Sequence, residues 1–249
     1  MEYLAIIPAR YASTRFPGKP LAMISGKTMI ERVYEQSSKA FENVYVATDD
    51  NRIFEAVTNF GGRVIMTQIN HQNGTSRVFE AMSQIEKLRG IHCKYVINIQ
   101  GDEPFIKPEQ LKELSNCFNN PQTEIATLVK KITNYDDLFS PDISKVVLGK
   151  DNRALYFSRT PIPYLRDFPL DKWLENNTYY KHIGLYGYKR ETLIEVANMA
   201  PSLLEMAENL EQLRWLENEI KICVCKTTFE SYSVDTPQDI EKFKANGII

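Results

Sequence analysis

The sequence predicts an α/β fold, a mostly parallel twisted sheet flanked by helices, and three observations carry that expectation. Short apolar runs alternate with stretches whose apolar residues recur at helical spacing through the first half of the chain. Gly, Pro and Asp punctuate most of the transitions between them. Strands that alternate with helices of about 10–15 residues wind into a parallel sheet through right-handed crossovers. No linker, low-complexity tract or internal repeat interrupts the 249 residues. The chain therefore reads as one domain, 1–249, with an inserted lobe near 155–182.

Tyr3-Leu4-Ala5-Ile6-Ile7 is a buried first strand. Met29 to Gln36 has helical spacing, and Asn43 to Thr48 is a second buried strand. Asp49-Asp50 supplies a cap for a helix over 52–57, which ends near Gly61-Gly62. Arg63 to Met66 is a short strand, followed by a helix from Ser76 to Lys87 and a strand from Tyr95 to Gln100. Pro108-Glu109 opens another helix, since Pro is tolerated in a first turn. The second half is less regular. Strands are expected over 125–131, 154–158 and 181–188, and one amphipathic helix over 203–216. Pro161-Ile162-Pro163-Tyr164 and the polar stretch up to Asn177 form an excursion from the main sheet.

Composition narrows the function classes. Hydrophobic content of 43% and charged content of 25% are ordinary for a soluble globular chain. A net charge of −2 and a pI near 6.0 argue against a broad nucleic-acid footprint, so any phosphate site is local. Cys93, Cys117, Cys223 and Cys225 form no Cys-x-x-Cys pair, which speaks against zinc. Cys223 and Cys225 alternate on one face of a strand as small buried residues, and a reducing cytoplasm is the simplest setting. Glu2 stands where a secretory leader carries basic residues, and no apolar run approaches the ~18 residues that span a bilayer, so a cytoplasmic protein is expected.

The densest chemistry lies in Pro8-Ala9-Arg10-Tyr11-Ala12-Ser13-Thr14-Arg15-Phe16-Pro17-Gly18-Lys19-Pro20, directly after the first strand. Ligands of open α/β sheets bind past the carboxyl ends of strands. Three cations, two hydroxyls and a Gly there suit a polyphosphate, guanidinium meeting phosphate as a bidentate fork. A solvated basic loop is the plain alternative. Gln100-Gly101-Asp102-Glu103-Pro104 also follows an apolar strand, and Asp102 is placed to hold a divalent ion. An ordinary Gly-Asp turn is the competing explanation.

In Ser233-Val234-Asp235-Thr236-Pro237-Gln238-Asp239, helix-start geometry accounts for Thr236 and Pro237, whereas Asp235 is free to reach the same metal. Gly74-Thr75-Ser76-Arg77 offers backbone donors at a helix start, with Arg77 facing a base, a phosphate or solvent. His182 is either a satisfied core histidine or, with Lys181 and Arg159, part of an anion pocket. No Gly-x-Gly-x-x-Gly, Gly-x-Ser-x-Gly or His-Glu-x-x-His occurs, and Gly26-Lys27-Thr28 lacks the earlier Gly of a P-loop. Metal-assisted transfer at a phosphate is what remains.

Taken together, these segments resemble the 3-deoxy-manno-octulosonate (Kdo) cytidylyltransferase family. The Pro8–Pro20 loop alone is similar to the wider sugar-nucleotidyltransferase group. The ordered set is more specific: Val46-Ala47-Thr48-Asp49, His71 with Gly74 to Arg77, Asn98 to Pro104, Ala154 to Arg159, His182 to Tyr188, Leu210 to Arg214, and Val234 to Pro237. Phe16 stands where that family often has Leu, and 165–180 has no counterpart we align.

The resemblance implies a Rossmann-like nucleotide-diphospho-sugar transferase fold whose inserted lobe mediates a homodimer. It also implies a reaction: CTP and Kdo give CMP-Kdo and diphosphate, for lipopolysaccharide assembly. On that basis Arg10, Arg15 and Lys19 neutralise the triphosphate, with Ala9 backbone groups, Arg77 and Gln100 selecting cytosine. Asp102 and Asp235 hold Mg2+, and Arg10, Lys19 and Asp102 carry the catalysis. Arg159, His182, Tyr186, Glu211 and Gln212 surround the sugar acid. The alternative is the same chemistry on another acidic sugar, 8-amino-Kdo or sialic acid.

Overall fold

The computed structural model describes residues 2–12, 15–90 and 92–247. Ser13 and Thr14, the two hydroxyls of the basic loop, lie outside the described residues. Contacts divide the chain into two compact units, Met1–Lys112 with Ser231–Ile249, and Glu113–Glu230.

The first unit holds β1 (Tyr3–Ala9), the short hairpin β2 (Met23–Ile24) and β3 (Lys27–Thr28), α1 (Met29–Ser38), β4 (Val44–Thr48), α2 (Asn51–Asn59), β5 (Val64–Met66), α3 (Gly74–Arg89) and β6 (Tyr95–Asn98). β1 lies between β4 and β6 and is parallel to both, with Ala5 opposite Val44 and Leu4 opposite Val96. β5 extends the sheet beside β4, again parallel. Leu4 to Ile7 are wholly buried, as strands covered by helices on both faces must be. The carboxyl ends of four parallel strands thus share one edge, and every candidate nucleotide residue closes or follows one of those strands or lies in the first turn of a helix there.

Local chemistry sets the helix starts. Thr28 caps α1 by accepting from Glu31 N, and Asp50 caps α2 by accepting from Arg52 N at 2.9 Å. Gly26-Lys27-Thr28 is the β2–β3 turn and this cap, with no phosphate-loop geometry. α3 begins at Gly74, two residues before the expected Ser76, because the Asn73 side chain accepts from Ser76 N at 2.9 Å. A C-terminal helix (Pro237–Ala245) completes the unit and buries Ile240 and Phe243 against Ile24, Met29 and Val234.

The second unit follows α4 (Pro108–Asn116) and holds β7 (Ile125–Lys131), α5 (Tyr135–Phe139), β8 (Lys145–Leu148), β9 (Ala154–Ser158), α6 (Trp173–Asn176), β10 (Tyr180–Lys189), α7 (Arg190–Ala197), α8 (Leu203–Glu208), α9 (Gln212–Glu217) and β11 (Ile222–Thr227). β7 pairs in parallel with β11 and antiparallel with β10, which continues antiparallel through β8 to β9. The stretch 161–179 packs Trp173 and Tyr179 with Ile132 and Leu138 in a small core of its own.

Two expectations are corrected here. The single helix over 203–216 is two short ones, because Asn209 adopts a left-handed φ of 51° that ends α8. Arg159 donates to the Glu208 and Asn209 carbonyls at this break, satisfying groups that a continuous helix would bond internally. Cys223 and Cys225 do share a face of β11, but that face is only half-buried, and Cys225 is bonded to Cys117. Among the described residues no helix is long and apolar enough to cross a membrane.

Candidate active site

Pro8, Ala9, Arg10, Arg15, Lys19, Gly74, Arg77, Gln100, Asp102 and Asp235 line one cleft of about 320 Å³ in the first unit. The sequence places these residues in four separate segments, and the sheet edge gathers them. Two glycines make the approach possible. A Cβ on Gly101 would stand 2.9 Å from the Pro8 carbonyl oxygen, so only Gly lets the segment after β6 lie against the end of β1. Gly18 has a φ of +71°, and its missing side chain leaves room for the Tyr11 ring. Gly18 N donates to Tyr11 O at 3.0 Å, closing the basic loop on itself. The Arg52 guanidinium stacks 3.3 Å over that same Tyr11 ring.

The loop's cations meet the two candidate metal carboxylates. Lys19 Nζ donates to Asp102 Oδ2 at 2.6 Å and to Asp235 Oδ1 at 3.2 Å, while Arg15 Nη2 reaches Asp235 Oδ1 at 2.9 Å. Arg10 is exposed on the cleft wall. Asp102 and Asp235 come from distant segments that two bonds hold together. Val234 N donates to Asp102 O at 2.9 Å, and Ser231 Oγ donates to Glu103 Oε2 at 2.7 Å. Burial pushes the Glu103 carboxyl up to about 7, with the charge of Asp102 adding and the Ser231 bond opposing. Asp239 fixes the other side by accepting from Asp235 N and Thr236 N.

Arg77 is buried and fully oriented. Its Nη2 donates to Asp49 Oδ2 at 2.6 Å, and its Nη1 to Thr67 Oγ1 at 2.6 Å and Gln68 O at 3.3 Å. Asp49 and Thr67 each follow the end of a strand, β4 and β5. Glu80 accepts from Gln68 N and from the His71 ring, fastening this segment to α3. Hydrogen bonds hold the Glu80 carboxyl below its usual range although burial works the other way. Sequence reasoning missed Asp49 and Glu80 as site residues. Their signal was weak, since an acid after a strand or within a helix is most often a cap or a solvated charge.

The five residues expected around a sugar acid all lie in the second unit. His182 and Tyr186 sit on β10, where a register irregularity between Ile183 and Tyr186 interrupts the ladder with β7. Four residues of regular strand span about 13 Å. Here the rings of His182 and Tyr186 approach to 5.3 Å, a displacement of the kind a bulge produces. The bulge frees Ile183 O and Leu185 O, and Thr127 Oγ1 lies 3.2 and 2.9 Å from them. Since that hydroxyl donates to a carbonyl, its 2.9 Å contact with His182 Nε2 makes the ring nitrogen the donor. Burial lowers the pKa of His182 to about 3, so the ring is neutral with Nδ1 as an acceptor.

Tyr186 stacks edge-on against Trp215, and Gln212 begins α9 just after Glu211. Among the described residues the Tyr186 hydroxyl, Gln212 Nε2 and Trp215 Nε1 are buried without a hydrogen-bond partner. Burial raises the Tyr186 phenol well above its ordinary range, with Tyr188 and Glu211 adding. The anion pocket imagined from Lys181, His182 and Arg159 does not form. Lys181 faces away from its neighbour and pairs with Asp137 and Glu230, each at 2.7 Å. Arg159 spends Nε, Nη1 and Nη2 on the carbonyls of Glu208, Pro141 and Asn209.

The chain is similar to known cytidylyltransferases in both sequence and fold. A family model described as Cytidylyltransferase matches residues 4–222. A Parabacteroides distasonis protein named 3-deoxy-manno-octulosonate cytidylyltransferase is 53% identical over 246 residues, covering 97% of this chain and 96% of its own. One of the same name from Bacteroides thetaiotaomicron is 53% identical over 244 residues, with 97% and 96% covered. A solved structure of CMP:2-keto-3-deoxy-manno-octonic acid synthetase complexed with CTP superimposes with a TM-score of 0.89 at 39% identity, covering 100% of this chain and 99% of that one.

Proposed function

Because the chain belongs to the cytidylyltransferase family, in the group named 3-deoxy-manno-octulosonate cytidylyltransferase, we propose that it joins CTP to Kdo, giving CMP-Kdo and diphosphate. The observation that carries this is the single cleft in which three loop cations, a fully oriented buried Arg77 and two carboxylates converge. The C2 anomeric hydroxyl of the sugar forms the new bond to the α-phosphorus and loses its proton. The bond to the diphosphate oxygen breaks in line.

Arg10, Arg15 and Lys19 offset the triphosphate charge. Arg77, Gln100 and the Ala9 backbone read the base. Asp102 and Asp235 suit Mg2+: they are hard oxygen donors, and the Lys19 ammonium between them already marks a place for positive charge. With only two carboxylates, the remaining positions fall to water and phosphate; among the described residues no third ligand joins them. Bound there, the ion supplies charge neutralisation at the phosphates.

The sugar contacts fall to residues of the second unit. His182 Nδ1, Tyr186, Gln212 and Glu211 meet sugar hydroxyls, and Arg159, which keeps unspent N–H groups, meets the carboxylate. Further parts of the proposal are a cytoplasmic homodimer that activates Kdo for lipopolysaccharide assembly. The exposed Leu155, Tyr164, Phe168 and Leu170 near the inserted segment support the dimer contact, and light scattering after size exclusion tests it. Diphosphate release measured with Kdo, 8-amino-Kdo and sialic acid tests the substrate. Release with Kdo is expected, and release with sialic acid alone would overturn the assignment.

A further inference from the structure

The contact between the basic loop and the two carboxylates has a direct physical corollary. Lys19 Nζ stands 2.6 Å from Asp102 Oδ2 and 3.2 Å from Asp235 Oδ1. Arg15 Nη2 touches the same Asp235 oxygen at 2.9 Å. Lys19 is only 14% exposed in its side chain, against 66% for Arg15, so its pairing is the less screened of the two. An ammonium ion in that position and a divalent ion shared by the same oxygens cannot coexist. Both draw on the same two oxygens, and two positive centres so close repel strongly.

We propose that Lys19 is an internal competitor for the metal: its ammonium holds Asp102 and Asp235 until a polyphosphate draws it away, so that divalent ion and nucleotide arrive together. The proposal rests on the assignment of those carboxylates to Mg2+. Transfer of the Lys19 ammonium from carboxylate to phosphate keeps its charge paired and releases carboxylate oxygens for the cation. Each ligand therefore favours the same rearrangement, and their affinities are linked reciprocally. Arg15 acts in the same sense but more weakly, being exposed. A lysine that merely binds phosphate makes no such link, and its removal would leave metal affinity unchanged.

The two possibilities differ in sign. Without Lys19, the nucleotide-free protein gains affinity for a divalent ion while affinity for nucleotide falls. The test is Mn2+ binding to the full chain, followed by electron paramagnetic resonance, for the parent, Lys19→Met, Lys19→Ala and Arg15→Met. Without nucleotide, both Lys19 variants are expected to bind Mn2+ about tenfold more tightly than the parent, and Arg15→Met by a smaller factor. The double variant Lys19→Met with Asp102→Asn returns to parental affinity or below. CTP binding without metal, read by calorimetry, weakens in both Lys19 variants.

Lys19 variants with native circular dichroism that bind Mn2+ no more tightly than the parent overturn the competition. If Asp102→Asn still weakens Mn2+ binding in the presence of CTP, the metal assignment survives that result. If Asp102→Asn leaves Mn2+ binding with CTP unchanged, the metal assignment itself falls and the competition falls with it.

Discussion

The two units present opposite side-chain chemistries. In the first, the candidate site is built from charge: Arg10, Arg15 and Lys19 face Asp102 and Asp235, and a buried Arg77 is pinned by Asp49. In the second, His182 is neutral, Tyr186 and Trp215 stack edge-on, Lys181 is paired internally, and Arg159 is held by three carbonyls with two N–H groups to spare. A triphosphate demands mobile cations that can change partners. A polyhydroxylated sugar demands fixed neutral donors and acceptors, whose desolvation is small when unpaired charge is absent. Variants should therefore fail differently in the two units.

The largest effect is expected from Asp102→Asn. Turnover falls by roughly 10³-fold, equivalent to about 4 kcal/mol, while CTP binding largely survives. Diphosphate release and equilibrium CTP binding, measured side by side, check it. An unchanged rate would remove the carboxylate from the chemistry. Asp49→Ala comes next. It removes the only charged partner of Arg77 among the described residues and leaves Nη1 alone held, by Thr67 and Gln68, so kcat/KM for CTP drops about 100-fold, mainly through KM, and discrimination against UTP relaxes. A fall in kcat with KM constant would show that Arg77 is not held for the base.

In the second unit the effects are smaller and separate from nucleotide affinity. His182 has its folded pKa depressed to about 3 from an ordinary 6.5. The unfolded chain therefore takes up a proton that the folded chain refuses. Stability is fully present above the unfolded value and is lost as pH falls below it. From about pH 7 to about pH 5 this amounts to roughly 2 kcal/mol. Urea unfolding across that range should show the slope, and His182→Asn should flatten it. Tyr186→Phe is the mildest. It removes a buried hydroxyl that has no partner among the described residues, so stability rises by about 1 kcal/mol. The KM for the sugar meanwhile rises about tenfold. A variant that loses stability would show the hydroxyl to be satisfied internally.

The contrast also governs what was legible in the sequence. The first unit was read almost whole, because strand–loop–helix periodicity is local and Arg10, Arg15, Lys19 and Asp102 announce themselves by following apolar strands. Its missed members, Asp49 and Glu80, act through a third residue, and a carboxylate that orients an arginine has no spacing signature. In the second unit the strands were found, but the break at Asn209 was not. A Leu- and Glu-rich stretch is helical by pattern, and only the tertiary bonds from Arg159 to two carbonyls show why it parts. The irregularity in β10 is equally silent in sequence, since Gly184 permits it without demanding it. The notion of an anion pocket around His182 failed on elementary strand geometry, which sends neighbouring side chains to opposite faces.

The bond between Ser231 and Glu103 spans 128 residues. Together with the Val234–Asp102 contact it makes the first unit a discontinuous one, begun at one end of the chain and finished at the other. On the ribosome, a nascent chain halted before Ser231 would carry all three loop cations and Arg77, with only one of the two carboxylates. Synthesis order thus delays assembly of the site until the segment from Ser231 to Asp235 has been made, long after Asp102 has left the ribosome.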